Sequence, residues 1–490
     1  MKVLFVFKSE NFVAPLGLCT IAAVVRAAGH EAQLCEVNSM DLRETVLRVT
    51  PEVVAYSALT GEAKHYLAIN RTIKELHPST FSIMGGPHPT FHPEVVHEGR
   101  LDAICRGEGE GAMTDLLAAL ASGAPVAGIP NLVTPDTQPG PLRPLVQELD
   151  RVPSPDFALV YDGTAMGRYP LKSFMTSRGC PFDCTYCFNH AWRALYPGEG
   201  TRIRRFSVDR VLADIDQVRR RWPLSCVKFY DDIFALRVDA WLEEFATRYP
   251  REIGLPFFVL TRADLLDEAM VKLLKAAGCR TVSMSIEAAN PQLREKVLRR
   301  RMDEQALVRA HLLCERYGLY TFTNCIIGLP DSTLEDDLAS LDLSLRCKVD
   351  WAEFLTYHPY PGTVLGDETL RRGLYDQDYA RMHTSYQHSS PLNCFTSQHK
   401  NRLRNLAVLG PVVVVLPILR PVLPYFLGLR HRAWSTVLYY FAKMFVLRRK
   451  IYVTKTSWLQ SLLIFWRSLR QEFFRHERRD DVAERNKPKQ

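Results

Sequence analysis

The chain has 490 residues, of which 47% are hydrophobic and 24% are charged. This composition is typical of a folded protein with two or three domains and excludes a disordered chain. Its twelve cysteines show no disulfide-like spacing, and the first seven residues lack the long apolar region of a signal peptide, so we expect a cytoplasmic protein. The net charge of +8 is unevenly divided, because residues 400–490 carry +14 and the remainder carries −6.

Residues 1–145 alternate strand and helix signals. Apolar runs at 3–7, 53–57, 81–84 and 103–106 predict strands, and helical patterns lie between them. This order predicts an α/β domain with a doubly wound, Rossmann-like (flavodoxin-like) parallel sheet. Such sheets bind ligands at the carboxyl ends of their strands, where the sequence places small, polar and glycine-rich segments at 57–60, 85–88 and 107–110.

Eight prolines between residues 125 and 155 indicate a linker, which we place at 146–170. From 171 to 365 the strand and helix signals return as six further units. They predict a partial (β/α)6 barrel, whose catalytic groups are expected at the carboxyl ends of its strands.

Three cysteines follow the first predicted barrel strand closely. Cys180, Cys184 and Cys187 lie within eight residues, and three thiolates can hold a 4Fe–4S cluster while leaving one iron open. A zinc site and three unrelated thiols are the alternatives. Structural zinc usually takes four ligands in two pairs, and no second pair lies nearby.

The spacing Cys-x-x-x-Cys-x-x-Cys, with an aromatic residue before the last cysteine, resembles the radical S-adenosylmethionine (SAM) superfamily. The resemblance covers residues 171–365, and it implies SAM at the open iron, a 5′-deoxyadenosyl radical and a flavodoxin- or ferredoxin-type reductant. It also implies SAM contacts by Tyr186, Asp231, Glu287 and Gly328. Asp231 in a solvated turn, Glu287 as a helix cap and Gly328 as a simple turn residue are the alternatives.

The first domain is similar to the cobalamin-binding domains that precede many radical SAM enzymes. The residues that carry this resemblance, and the cobalamin contacts that it implies, are Ser57, Leu59, Gly85, Gly86, His88 and Glu108. The motif Asp-x-His-x-x-Gly is absent, so a histidine below the cobalt is not expected. A domain that binds nothing, with His88 as an ordinary turn residue, is the alternative.

Both resemblances together imply a class B-like radical SAM methyltransferase that methylates an unactivated carbon of a hydrophobic or natural-product substrate. A cobalamin-dependent rearrangement, ring closure or oxidation is the alternative within the same fold, as in the related anaerobic Mg-protoporphyrin monomethyl ester cyclase group. A non-catalytic iron–sulfur or cobalamin-binding protein is the alternative of another class. The sequence does not identify a catalytic side chain.

The C-terminal region, residues 366–490, is basic and predicted to be largely helical. Residues 400–470 contain thirteen Lys or Arg and no Asp or Glu. Residues 406–419 are uncharged, but Pro411 and Pro417 interrupt them and they are too short to span a bilayer. Residues 434–447 and 458–469 mix aromatic and basic side chains, which suits either peripheral contact with the anionic inner membrane surface or a helical cap with a solvated basic face. Membrane contact would favour a lipid-like substrate, and nucleic acid is not expected.

Overall fold

The structure is a computed structural model that describes residues 1–8, 13–198, 203–382 and 385–454, together with 462, 463, 465, 466 and 469. Within this part of the chain, the strands form two six-stranded sheets and one two-stranded ribbon. Short 3₁₀ and π turns separate the longer elements at Thr60–Glu62, Pro93–His97, Leu149–Arg151, Ala165–Arg168, Ala263–Leu265, Gln292–Val297, Tyr379–Arg381, Pro417–Val422 and Leu447–Ile451.

The first domain is a doubly wound sheet with the strand order β2-β1-β3-β4-β5-β6. Its first five strands are parallel, and β6 is antiparallel at the edge. This order confirms the predicted flavodoxin-like class, and it reverses direction between β1 and β3, where such sheets bind ligands. The strands are β1 Lys2–Phe7, β2 Glu31–Glu36, β3 Val53–Ser57, β4 Phe81–Gly85, β5 Ala103–Cys105 and β6 Leu132–Val133, and the helices are α1 Leu16–Ala27, α2 Leu42–Val49, α3 Ala63–Leu76, α4 Pro87–Phe91 and α5 Glu110–Ser122.

The second domain contains a six-stranded, all-parallel sheet with the order β14-β13-β12-β11-β10-β7. This arrangement confirms the predicted partial barrel. Its elements, with the linker helix α6 Phe157–Tyr161, are β7 Leu171–Phe174, β8 Ser177–Arg178, α7 Phe188–Ala194, β9 Arg204–Arg205, α8 Val208–Arg221, β10 Cys226–Phe229, α9 Ala240–Glu252, β11 Phe257–Thr261, α10 Glu268–Ala276, β12 Cys279–Met284, α11 Glu304–Arg316, β13 Tyr320–Ile327, α12 Leu334–Arg346, β14 Trp351–Thr356 and α13 Val364–Arg371.

Most helices of the barrel begin at a residue whose side chain caps them. A carboxylate or hydroxyl oxygen there accepts a hydrogen bond from a backbone N–H of the first turn, which satisfies a donor that the helix itself leaves unpaired. The capping residues are Ser207, Asp239, Asp267, Asp303, Thr333 and Thr363. These caps fix the residue at which the loop before each helix ends and the helix begins.

The C-terminal region packs on the barrel as a helical cap, formed by α14 Ser397–Val415, α15 Leu423–Gly428 and α16 Ala433–Val446. Helix α14 lies so close to β14 that a methyl group on Gly410 would stand 2.6 Å from the Phe354 ring. The expectation that Pro411 interrupts this helix is wrong, because α14 continues through Pro411 and ends before Pro417. No helix in the described part of the chain has the length and apolar character needed to cross a bilayer.

The chain after α16 returns to the barrel sheet. Thr281 of β12 donates a hydrogen bond to the carbonyl of Ile451 over 2.9 Å, and the rings of Tyr452 and Phe258 lie 5.4 Å apart. Ile451 is fully buried. The segment from α14 to Tyr452 is therefore part of the folded core of the second domain.

Candidate cofactor sites

The three predicted cluster cysteines lie in one loop between β8 and α7. Cys184 is buried, while Cys180 and Cys187 are half-buried. Arg193 of α7 donates hydrogen bonds to the carbonyls of Pro181 and Phe182, which ties the loop to the helix that follows it. The loop is thus fixed by its own neighbours in the chain.

Arg262, at the end of β11, holds the same loop from the barrel side. Its guanidinium stacks over the Phe182 ring at 3.8 Å, forms two hydrogen bonds with Asp264 and points one N–H at Cys184 Sγ over 3.8 Å. Arg262 therefore contacts the cysteine loop directly.

Burial raises the pKa of Cys180 to about 11 and that of Cys187 to about 12, and the charge of the neighbouring Asp232 adds to both shifts. Among the described residues, no three His, Cys, Asp or Glu side chains are grouped to hold a metal ion. A 4Fe–4S cluster does not need its three thiolates to converge on one metal ion, because each thiolate binds its own iron. The three neighbouring thiols of this loop, with Arg262 beside them, can therefore hold such a cluster.

A buried polar group lies next to the cysteine loop. The Tyr186 hydroxyl donates a hydrogen bond to Glu287 Oε1 over 2.9 Å and accepts one from Arg300 over 3.2 Å. Burial raises the pKa of Glu287, whereas the charge of Arg300 opposes that shift. Arg300 also donates a hydrogen bond to the carbonyl of Ser285. Tyr186 and Glu287, two of the predicted SAM-binding residues, therefore both lie beside the Arg300 guanidinium. The sequence analysis did not predict Arg300 as a site residue.

Asp231 and Gly328 have other hydrogen-bond partners. One oxygen of Asp231 accepts hydrogen bonds from the backbone and side chains of Thr176 and Ser177, and the other has no protein partner. A methyl group on Gly328 would stand 2.7 Å from the side chain of Leu403 in α14. The SAM contacts that the resemblance implies for Asp231 and Gly328 stay predictions.

A cavity of about 330 Å³ opens between the two domains. On one side it is bounded by the ends of β3, β4 and β5 and by the first turn of α1, which is the reversal point of the first sheet. On the other side it is bounded by the start of the barrel domain. Its walls include Gly17, Ser57, Gly85, Gly86, Gly107, Glu108, Phe174, Arg178, Trp192 and Phe206.

Four of the six residues predicted to bind cobalamin line this cavity, namely Ser57, Gly85, Gly86 and Glu108. Leu59 does not line it, although 54% of its surface is exposed at the same edge of the sheet. His88 does not line it either. The ring of His88 is buried against His92 and Tyr379, and burial lowers its pKa to about 3.

Arg178 connects the cavity with the cysteine loop. It lines the cavity and precedes Cys180 by two residues. Its guanidinium donates hydrogen bonds to Glu108 over 2.9 Å and to Glu110 over 2.7 Å. Burial alone would raise the pKa of Glu108, but Arg204 and Arg178 together hold it below its ordinary value. Arg178 and Trp192 were not predicted as site residues, and their closeness to the cysteines in sequence was the available signal.

Two family models match the chain. The B12 binding domain matches residues 2–117, and the radical SAM superfamily matches residues 174–343. An uncharacterized methyltransferase from Pyrococcus horikoshii is 29% identical, over 81% of this chain and 87% of that protein. The anaerobic magnesium-protoporphyrin IX monomethyl ester cyclase of Rubrivivax gelatinosus is 26% identical, over 72% of this chain and 66% of that protein.

The fold is also similar to a solved structure. The radical SAM methyltransferase TsrM from Kitasatospora setae, with a tryptophan substrate and a SAM analogue bound, superposes with a TM-score of 0.61 at 22% identity, over 76% of each chain. This likeness concerns the fold, whereas the two family models concern the cofactors. The chain therefore contains an N-terminal B12 binding domain followed by a radical SAM domain, and its cofactors are a 4Fe–4S cluster, SAM and cobalamin.

Proposed function

We propose that the chain methylates an unactivated carbon of a small molecule. The observation that carries this proposal is the shared wall between the interdomain cavity and the cysteine loop, which Arg178 forms. A methyl carrier and a radical source must both reach one substrate carbon, so their sites have to adjoin. The relatives of known or assigned methyltransferase activity support the same reaction type.

The residue roles in this proposal follow from the two sites. Cys180, Cys184 and Cys187 ligate the cluster, Tyr186, Glu287 and Arg300 contact SAM, and the interdomain cavity holds cobalamin. Asp231 and Gly328 complete the SAM site in this proposal. When bound, the cluster supplies the electron for reductive cleavage of SAM, and cobalamin carries the methyl group.

Exclusion of water is the second task of the chain, because a reactive carbon radical must meet only its intended partner. The cavity walls are largely apolar, with Phe174, Trp192 and Phe206 on the barrel side.

We include in the proposal a hydrophobic, lipid-like substrate, a flavodoxin- or ferredoxin-type reductant and peripheral contact with an anionic membrane. The thirteen basic residues without an acidic residue between 400 and 470 support the membrane contact. A substrate taken from a membrane would be apolar.

The test uses full-length protein loaded anaerobically with cluster and cobalamin, and SAM that carries a trideuterated methyl group. Apolar extracts of cells that lack the protein serve as the substrate pool, and mass spectrometry follows the label. We expect one apolar compound to gain the trideuterated methyl group together with formation of 5′-deoxyadenosine. Cys184→Ala should abolish both products, whereas Cys394→Ala, at an exposed cysteine outside the loop, should retain them.

A product that changes mass without the label would overturn methylation in favour of rearrangement, ring closure or oxidation. Formation of neither 5′-deoxyadenosine nor a new product by the loaded protein would contradict the assignment of the cysteine loop.

A further inference from the structure

Helix α16 has its apolar residues on the outside. Its buried positions include Ser435, Thr436 and Tyr439. Its exposed positions are large and apolar, and they recur three or four residues apart, so they form one stripe along the helix. These exposed residues are Trp434, Val437, Leu438, Phe441 and Phe445. A helix of a soluble domain normally shows the opposite pattern.

The stripe belongs to a larger apolar surface. In the described part of the chain, sixteen large apolar side chains are exposed, and twelve of them lie between residues 416 and 466. Ile418 is 85% exposed and Tyr425 is 70% exposed. Phe426 joins the Tyr425 ring, 5.5 Å away, to the Trp434 ring, 6.2 Å away, so the two helices share one surface. We call the exposed side chains of residues 418–445 the aromatic face.

The residues described after α16 enlarge this face. The Phe465 ring packs against Phe441 with 6.4 Å between ring centroids, while Leu463 and Trp466 remain 62% and 64% exposed. An exposed apolar patch of this extent marks an interaction surface, since water contact with it is unfavourable.

The cations of this region include two distinct groups. Arg420, Lys443 and Lys450 pair with Asp342, Glu353 and Asp350, and these pairs attach the cap to the barrel. The exposed side chains of Arg430, Arg432 and Arg449 have no carboxylate partner among the described residues. The Arg449 guanidinium lies 4.3 Å above the Phe445 ring, at the edge of the aromatic face.

We propose that the aromatic face binds the surface of an anionic lipid bilayer, with α16 lying in the plane of the interface. Aromatic rings would enter the boundary between headgroups and acyl chains, and the three unpaired arginines would contact anionic headgroups. The inference rests on the proposed membrane contact and assigns residues to it. Vesicle binding is measured separately from catalysis, so failure here and failure of the methylation proposal are distinguishable.

Charge favours a bilayer over a second copy of the chain. In a twofold interface the same surface appears on both sides, so the arginines of both copies would meet without any acidic residue between 400 and 470 to oppose them. An anionic membrane supplies the missing negative charge.

The test is co-sedimentation of the full chain with vesicles of phosphatidylcholine, either pure or with 30% phosphatidylglycerol. We expect binding to the anionic vesicles that weakens with salt. Combined Trp434→Ser, Phe441→Ser and Phe445→Ser changes should lower the partition coefficient at least about tenfold, because three large apolar groups are removed. The matched control combines Leu47→Ser and Val364→Ser, two exposed apolar positions elsewhere, and should bind as the unaltered protein does.

A second pair of variants does not alter the apolar surface. Arg430→Gln with Arg432→Gln should lower binding about tenfold or more, whereas Arg48→Gln with Arg71→Gln, two exposed positions on the first domain, should not. Equal binding of the face variants and their controls would overturn the proposal, as would absence of binding by the unaltered protein. Self-association that disappears in the Phe441→Ser protein, without vesicle binding, would assign the face to a second copy instead.

Discussion

Glu287 combines three properties that rarely occur together in one residue. Its backbone lies in the left-handed region at φ 63°, the residue is only 6% exposed, and its side chain contacts both Tyr186 and Arg300. A left-handed non-glycine residue costs free energy, and such strain is retained where the surrounding structure needs the exact orientation of a side chain. The backbone of Glu287 is held by hydrogen bonds to Asn324 and Ile326 of β13.

We expect Glu287→Gln to lower the affinity for SAM about tenfold or more. The amide keeps the size of the side chain but removes the charge that Arg300 faces, and hydrogen bonds to charged groups are the stronger ones. Calorimetric titration of cluster-loaded protein with SAM measures the effect. Glu353→Gln is the control, since Glu353 is equally buried but pairs with Lys443 of the cap. Unchanged SAM affinity in Glu287→Gln would refute the assigned role.

Asp231 leads to a prediction about pH. Burial raises the pKa of its carboxyl to about 6, above the ordinary value of 3.8. Between these two values the folded protein binds more protons than the unfolded chain, so the free energy of unfolding falls as the pH rises through this window and is constant above it. The full effect is about 3 kcal/mol at most.

Asp231→Asn removes this proton-binding site while keeping an oxygen that accepts from Thr176 and Ser177. The difference in unfolding free energy between the two proteins should therefore change between pH 4.5 and 6 and stay constant from pH 6.5 to 8. Denaturant unfolding followed by circular dichroism tests this, and parallel curves over the whole range would show that Asp231 is ionised throughout.

At the scale of single elements, the turn after β4 shapes the cavity. Gly86 adopts φ 98°, and a methyl group there would stand 2.9 Å from the backbone N and O of Ala58. Gly85 lies one residue earlier, where a methyl group would meet only ordinary contacts at 3.8 Å or more. The turn thus requires glycine at position 86 but not at position 85.

Gly86→Ala should lower the free energy of unfolding by about 1–3 kcal/mol and weaken hydroxocobalamin binding, because the ends of β3 and β4 must separate. Gly85→Ala should change stability by less than about 1 kcal/mol. Thermal unfolding and cobalamin titration of both proteins provide the comparison. Equal stability of the two variants would contradict the close approach of the strand ends.

Elements with strong apolar runs were predictable from the sequence. The six predicted barrel strands, at 172–176, 227–230, 256–261, 281–286, 320–327 and 351–356, lie within two residues of the observed ones, because strands buried on both faces read as continuous apolar runs. Strand β2 was missed because its sequence, Glu-Ala-Gln-Leu-Cys-Glu, is polar enough to resemble a loop. Helix α2, which follows it, was missed with it.

The sites were less predictable than the elements. The cysteine loop and the strand-end glycines follow from local spacing, whereas Arg300 reaches Tyr186 across 114 residues of sequence, and no local pattern shows such a contact. The assignment of Gly328 to SAM rests on the family resemblance and stays a prediction, and a methyl group on Gly328 would stand 2.7 Å from Leu403 in the C-terminal cap. Contacts of this kind become visible only when the chain is folded.

In the whole molecule, the two domains are joined by a group of ion pairs at the edge of the cavity. Glu108 and Glu110 of the first domain face Arg178 and Arg204 of the second, and all four side chains are less than one-fifth exposed. Arg204 also donates to the carbonyl of Val146 in the linker. The joint therefore fixes the cavity and the cysteine loop relative to one another.

This joint predicts a measurable coupling between the domains. In a double-mutant cycle with Glu108→Gln and Arg178→Gln, we expect a coupling free energy of about 1–3 kcal/mol in thermal unfolding, since both groups are largely shielded from water. The control cycle uses Lys348→Gln and Glu315→Gln, an exposed pair that also joins distant segments, where the coupling should stay below about 1 kcal/mol.

The same variants should affect cobalamin more than iron. Because Glu108 and Arg178 form part of the cavity wall, either single change should weaken hydroxocobalamin binding, whereas the loop contacts of Arg193 and Arg262 remain and should keep cluster loading unchanged. Absorbance titration with cobalamin and iron analysis after reconstitution separate the two effects. Loss of iron in the Glu108→Gln protein would mean that the domain joint, rather than the loop itself, holds the cluster cysteines in place.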